Sequence, residues 1–191
     1  MSLQRKVVFG QDAKLRVIDA IQEMADIVGS TLGPRGSTVV IENEMEGLLP
    51  ITTKDGVTVA RHINPEGDVE RMAVAIMKEA ALKTNSDVGD GTTTATIIAA
   101  ALLKGGLEFL QANPKVSPAE LQRSINSIVK SVVTYLKDHT KRIQTRDDLY
   151  KVGIISANGD TSLAAMIADA FESVDFDKGA VTVEDSKAPT C

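Results

Sequence analysis

Gly89-Asp90-Gly91-Thr92-Thr93-Thr94 lies between two long helical patterns, and the reading of the chain turns on it. The run behind it, Ala95-Thr96-Ile97-Ile98-Ala99-Ala100-Ala101-Leu102-Leu103, is apolar nearly all round and predicts a buried helix. A helix start offers unpaired N–H groups and a partial positive charge, which together suit phosphate. Glycines let a phosphate approach the backbone closely, because no Cβ stands in the way. Threonine hydroxyls in a first turn can cap the backbone or bond phosphate oxygens. Asp90 is an oxygen ligand of the kind Mg²⁺ takes, one carboxylate completed by phosphate oxygens and water. This is not a Walker A loop, since it holds no lysine and no Gly-Lys-Ser/Thr. By itself the stretch reads equally well as a glycine turn followed by a threonine cap.

Composition sets the frame. The chain has 191 residues, 43% hydrophobic and 25% charged, enough for one globular domain or one with a small second domain. A formal charge of −5 argues against a broad nucleic-acid surface, and 3% aromatics without Trp argues against base-stacking platforms. No apolar run approaches the ~20 residues expected of a membrane span. The basic residues Arg5 and Lys6 have no apolar stretch behind them, so a secretory signal is not expected. The single cysteine, Cys191, has no internal partner, which suits a reducing compartment.

Outward from the central stretch, the periodicity is mostly helical. Val7-Val8-Phe9 predicts a short strand, and Asp12 an N-cap for a helix over 12–29 with Leu15, Ile18, Ile21, Ala25 and Val28 on one face. Ser30 to Gly36 is a loop holding two glycines, two hydroxyls and Arg35. It fits a nucleotide contact or a plain helix-to-strand connection. Thr38–Glu42 and Pro50–Thr53 predict a hairpin, marginal without a further strand from this chain or a neighbouring one. Asp55-Gly56 signals a tight turn, with Asp55 either forming it or facing the phosphate; the period over 57–63 is ambiguous. Asp68 is expected to cap a helix to about Asp87 with Val69, Met72, Ala73, Ile76 and Ala80 inward.

Beyond the central helix, expected to weaken at Gly105-Gly106, Ser117 and Glu120 form a capping box around Pro118. Leu121, Ile125, Ile128, Val129, Val132 and Leu136 then make a stripe that predicts ordinary core. The polar run Lys137–Arg142 suggests a domain boundary, and neither His62 nor His139 has a metal partner in the sequence. Thr145 predicts a cap for a helix to Lys151, followed by a loop over Ile154–Asp160 that ends in a cap. Leu163, Ile167, Ala170 and Phe171 predict another helix face, and Ala180–Glu184 a last strand.

Four stretches occur in the order and spacing seen in chaperonins: Thr31-Leu32-Gly33-Pro34-Arg35-Gly36, Lys54-Asp55-Gly56-Val57, Gly89-Asp90-Gly91-Thr92-Thr93-Thr94-Ala95-Thr96 and Ile155-Ser156-Ala157-Asn158-Gly159-Asp160. The resemblance runs from Phe9-Gly10 to Val181–Asp185, and Lys54 with Ser156-Ala157-Asn158 resembles the group I (Hsp60) branch. It implies a mostly α fold with small β elements. Residues 1–138 would be the N-terminal half of an equatorial ATP-binding domain, and 139–191 the ascending half of an α/β intermediate domain.

The resemblance also implies a Mg²⁺-dependent ATPase whose subunits stack in rings, with other chaperonin subunits as partners and ATP or ADP, Mg²⁺ and K⁺ as ligands. Asp90 resembles the Mg²⁺ ligand, and Gly91, Thr92, Thr93 and Thr94 the phosphate cradle. Thr31, Leu32, Gly33 and Pro34 resemble the loop over the nucleotide, with Thr31 and Lys54 holding K⁺ through backbone oxygens. Asp55 resembles the acidic catalytic residue beside the γ-phosphate, Gly56 supports its turn, and Ile155 and Ser156 resemble base-side or hinge contacts. The chain stops where a complete subunit would enter its apical domain, through which non-native polypeptide and co-chaperonin are bound. The second hinge half, with its water-positioning aspartate, and the C-terminal equatorial half are also expected to be missing. Weak or absent hydrolysis by the segment alone follows, as do apolar faces without their cover. Arg35 stands where lysine is commoner and Lys14 where arginine is commoner. The expected place is the cytoplasm or an organellar matrix. A short assembly partner of complete subunits, docking through Thr38–Thr53, is the alternative.

Overall fold

The computed structural model describes residues 7–43, 48–157, 159–174 and 181–182. In order, the elements are α1 (Gly10–Gly29), β1 (Val39–Ile41), β2 (Ile51–Thr53), α2 (Gly56–His62), α3 (Asp68–Val88), α4 (Thr92–Ala112), α5 (Pro118–His139), α6 (Arg146–Ser156) and α7 (Thr161–Ser173). The chain forms two compact units, Met1–Ile125 and Asn126–Cys191, with the division inside α5.

In the first unit the core lies where α1, α2, α3 and α4 meet. Met24 and Val28 of α1, Val59 of α2, Ala73 and Met77 of α3 and Ala100 of α4 are all buried there. Arg16 of α1 donates from Nε and Nη2 to both carboxylate oxygens of Glu70 on α3, at 2.8 and 2.9 Å. That hydrogen bonding holds the guanidinium above its ordinary pKa. Lys78 of α3 donates to the carbonyl of Arg61 at 2.8 Å and so ties down the last turn of α2, while burial pushes its ammonium pKa down. The hairpin pairs β1 with β2 antiparallel, Val40 opposite Thr52.

Several boundaries and faces differ from the sequence expectation. Val7-Val8-Phe9 is not a strand, and Phe9 is 89% exposed; among the described residues no strand lies beside it to satisfy an extended backbone. Helix α1 begins before Asp12, which therefore sits in the first turn instead of capping it. Gly67, not Asp68, is the N-cap of α3, and a Cβ on Gly67 would run into the Glu70 carboxylate. The buried face of α3 is Val69, Ala73, Val74, Met77 and Ala81, so Met72 and Ile76 lie outward. The expected face had the right period and was turned by about one residue.

Helix α4 runs through Gly105-Gly106 to Ala112, and only Thr92, Thr96 and Ala100 are buried along it, so it is not buried all round. At 21 residues it is long and apolar enough, by length and composition, to cross a bilayer, against the expectation of no such run. Its narrow buried line packs on α1 and α3. The stripe of α5 is not core either: none of its residues is buried, and Ile128 is 63% exposed. Leu121 and Ile125 border an open apolar groove of about 710 Å³ with Val17, Ile18, Leu102 and Leu107.

In the second unit α6 and α7 pack together, and Gly153 approaches Ala164 so closely that an added Cβ would lie 3.3 Å from the Ala164 Cβ. Helix α6 continues past Lys151 to Ser156, so the expected loop at Ile154-Ile155-Ser156 is helical. The centre of the α7 face is Ala164 and Ala168, flanked by partly buried Leu163, Ile167 and Phe171. Of the expected last strand, Val181 and Thr182 are coil, and Ala180, Val183 and Glu184 lie outside the described residues, as do Asn158 and Cys191.

Candidate functional site

Three segments of the first unit converge at the start of α4. The first is the turn before it. Gly89 ends α3 at φ +80° and Gly91 is the N-cap of α4 at φ +81°, both in the left-handed region that glycine enters without strain. Gly91 has no side chain to cap the first turn, so no side-chain cap takes the first N–H groups of α4. Asp90, exposed between the glycines, accepts the Gly91 N–H on Oδ1 at 2.6 Å.

The second segment is the exit of α1. Thr31 is buried, and its hydroxyl donates to the Val28 carbonyl at 2.7 Å. The following loop is closed by its own backbone, Gly36 N–H to the Gly33 carbonyl at 2.9 Å and Ser37 N–H to the Ser30 carbonyl at 2.7 Å. Gly33 turns at φ +80°, while Leu32, Pro34 and Arg35 are exposed. The third segment is the start of α2. Asp55 is its N-cap, and its carboxylate accepts from Val57 N–H and Thr58 N–H.

Contacts join the three. The Thr31 and Thr93 hydroxyls lie 3.5 Å apart, and because the Thr31 proton is given to Val28, Thr93 is the donor. An added Cβ on Gly56 would lie 2.0 Å from Thr93 Oγ1, so only glycine lets the start of α2 close on the first turn of α4. Thr31, Gly56 and Thr93 therefore share one spot beside the open helix start. The three threonines divide: Thr92 is turned into the core, Thr93 is partly buried at the junction, and Thr94 is exposed. Lys54 is exposed next to Asp55. Ile155, 81% exposed, and Ser156 end α6 in the second unit.

This donor set fits a magnesium-bound phosphate. Among the described residues no group of three His, Cys, Asp or Glu could hold a metal alone. Mg²⁺ asks for less: one or two carboxylates, with phosphate oxygens and water completing its shell. Asp90 would supply the carboxylate, and the first-turn N–H groups with Thr93 and Thr94 would meet the phosphate. Gly36, read in sequence only as a loop glycine, leaves room for the Thr31 carbonyl, into which a Cβ would run. One contributor escaped the sequence reading: Thr58 donates its hydroxyl to Asp55 Oδ2 at 2.5 Å. The Asp-x-x-Thr spacing was the available signal for Thr58, since it is that of a helix cap and its third residue.

Comparison with known proteins follows the same line. A model of the TCP-1/cpn60 chaperonin family matches residues 24–189. The structure is similar to the chaperonin gp146 from the bacteriophage EL 2 (Pseudomonas aeruginosa), solved in the presence of ATP-BeFx. In one crystal form the TM-score is 0.73 at 33% identity, over 87% of this chain and 28% of that one. In a second form the values are 0.72 and 32%, over 87% and 29%. A group III chaperonin in the open state shares the fold at TM-score 0.71 and 23% identity, over 85% of this chain and 32% of that one. The chain thus spans under a third of the length of these relatives.

Proposed function

The chain belongs to the TCP-1/cpn60 chaperonin family, and from that premise we propose that it is the nucleotide-handling part of a group I chaperonin subunit, binding ATP or ADP with Mg²⁺ at the start of α4. The carrying observation is the convergence of Thr31, Gly56 and Thr93 on an N-terminus left open between two left-handed glycines. Residues 1–138 are the equatorial half and 139–191 the hinge half in this reading, in the cytoplasm or an organellar matrix. Asp90 would hold the ion, and the N–H groups at the start of α4 would receive the phosphates. The backbone oxygens of Thr31 and Lys54 would hold K⁺. Asp55 would lie beside the terminal phosphate as the acidic residue of the catalytic site. Bound Mg²⁺ supplies neutralisation of the charge that spreads over the phosphoryl oxygens.

Calorimetry on the 191-residue chain tests this. Mg²⁺-ATP binding is expected, and Asp90→Ala should weaken it at least about tenfold, or ~1.4 kcal/mol. Unchanged affinity overturns the assignment. Hydrolysis by this chain alone is expected to be far slower than by a complete ring, and phosphate release at the ring's rate would contradict that. A second reading, a short assembly partner of full-length subunits, is favoured by the hairpin, whose strands pair only with each other among the described residues. Mass measurement after mixing with complete rings separates the two.

A further inference from the structure

Asp-Gly occurs twice in the chain, at Asp55-Gly56 and Asp90-Gly91, and the fold treats the two differently. In this dipeptide the glycine nitrogen can close on the aspartate carboxyl carbon, because no Cβ on the glycine blocks the approach. At Asp90 the structure brings those two groups together. The Gly91 N–H points at Asp90 Oδ1 from 2.6 Å. The carboxyl carbon is one ~1.2 Å bond further, so nitrogen and carbon lie within about 4 Å, near the ~3–3.5 Å of an attack-ready pair. Among the described residues Asp90 has no other hydrogen-bond partner. It is exposed, and a Cβ added at Gly89 or Gly91 would meet nothing within 4 Å, so the turn has room to change shape. Asp55 is the contrast. Its carboxylate is directed past Gly56 to the Val57 and Thr58 N–H groups, at 3.3 and 3.0 Å. Gly56 is buried in the first turn of α2 and pressed against Thr93, so its nitrogen reaches the carboxyl carbon only by opening that junction.

We propose that Asp90 is a site of spontaneous isomerisation to isoaspartate, selected by the fold over Asp55. The Gly91 nitrogen bonds to the Asp90 carboxyl carbon, and one carboxyl oxygen leaves as water with the amide hydrogen and a proton from solvent. Water then adds to the other carbonyl of the imide ring, the original peptide carbonyl. Its bond to the Gly91 nitrogen breaks, releasing a carboxylate and a proton. No mass is gained or lost, and water is the only co-reactant. The main chain then runs through the former side chain, one atom longer between Gly89 and Gly91, and the carboxylate sits one carbon closer to the Asp90 Cα. At the nucleotide site proposed above, this displaces the carboxylate assigned to Mg²⁺; that consequence alone rests on the nucleotide reading.

The test ages the 191-residue chain in neutral buffer at physiological temperature, folded and, in parallel, unfolded in urea. After digestion, the peptides holding Asp55 and Asp90 are each separated into their aspartate and isoaspartate forms, which share a mass. Unfolded, the two sites should react at similar rates. Folded, isoaspartate should form at Asp90 at least about tenfold faster than at Asp55, the scale on which misplacing reacting atoms is felt. Thermal melts before and after ageing establish that the folded sample stayed folded. Equal rates at the two sites in the folded chain, or a faster reaction at Asp55, overturn the inference. The isolated isomerised chain should bind Mg²⁺-ATP at least about tenfold more weakly than the fresh chain in calorimetry. Retained affinity, or no binding by the fresh chain, overturns the nucleotide reading at Asp90 and leaves the isomerisation standing.

Discussion

Helices α4 and α5 are of nearly equal length, 21 and 22 residues, and they are opposites at both start and body. The start of α5 is closed on itself. Ser117 N–H donates to Glu120 Oε2 at 2.8 Å and Glu120 N–H donates to Ser117 Oγ at 3.2 Å, a reciprocal capping box. The start of α4 has a glycine at its cap and makes no side-chain cap hydrogen bond. Along the bodies the order reverses. Helix α4 buries Thr92, Thr96 and Ala100 against its neighbours, whereas the cleaner apolar stripe of α5 is bare. A helix end satisfied locally adds stability and is closed to ligands, and one left unsatisfied can bind an anion. Burial, by contrast, follows from which surfaces are present to pack on, not from the regularity of the stripe.

The comparison can be broken at several points. The largest effect is expected at Gly56→Ala, where the new methyl meets Thr93 Oγ1 at the junction. Stability should fall by ~1–3 kcal/mol in urea melts, with a measurable loss of nucleotide affinity. An unaffected protein would mean that α2 and α4 do not close as described. Ala100→Leu, on the buried line of α4, should cost a similar ~1–3 kcal/mol by overpacking. Ser117→Ala should cost ~1 kcal/mol through the lost cap and leave nucleotide affinity unchanged. Val132→Ser, on the half-exposed stripe of α5, should stay within ~0.5 kcal/mol; a larger loss would show that this stripe is covered in solution.

The smallest effect concerns pH. Hydrogen bonds from Ser117, its backbone N–H first, hold the Glu120 carboxyl below its usual range. Its folded value lies below its unfolded value, so the box contributes fully above the ordinary glutamate pKa of 4.5 and is lost as pH falls through the lowered one. Acid titration of unaltered chain and Glu120→Gln should therefore converge at the acid end. Divergence there would contradict the box.

Much of the site was legible because its chemistry is local. Glycines at 89 and 91 around an aspartate, and Asp55 before Gly56, are turn and cap signals carried by neighbouring residues, and the structure forms both. Capping by Ser117, Thr145 and Asp160 was legible for the same reason. Thr92 shows the limit. In sequence it is one of three equivalent hydroxyls, yet the helical advance of about 100° per residue turns it into the core and leaves Thr93 at the junction. Gly105-Gly106 shows another: glycines weaken an isolated helix, but here the helix passes through them to Ala112.

By itself the sequence determined the main helices, the caps and the glycine-flanked aspartate, since each depends on interactions spanning four residues or fewer, and the hairpin, whose strands are close neighbours in the chain. Tertiary structure alone decided that Gly56 meets Thr93, that Thr31 shares its hydroxyl contact, and that Arg16 finds Glu70. It also decided which apolar stripe is covered. Those outcomes join residues tens of positions apart, and no local preference encodes which two helix ends will be brought within bonding distance.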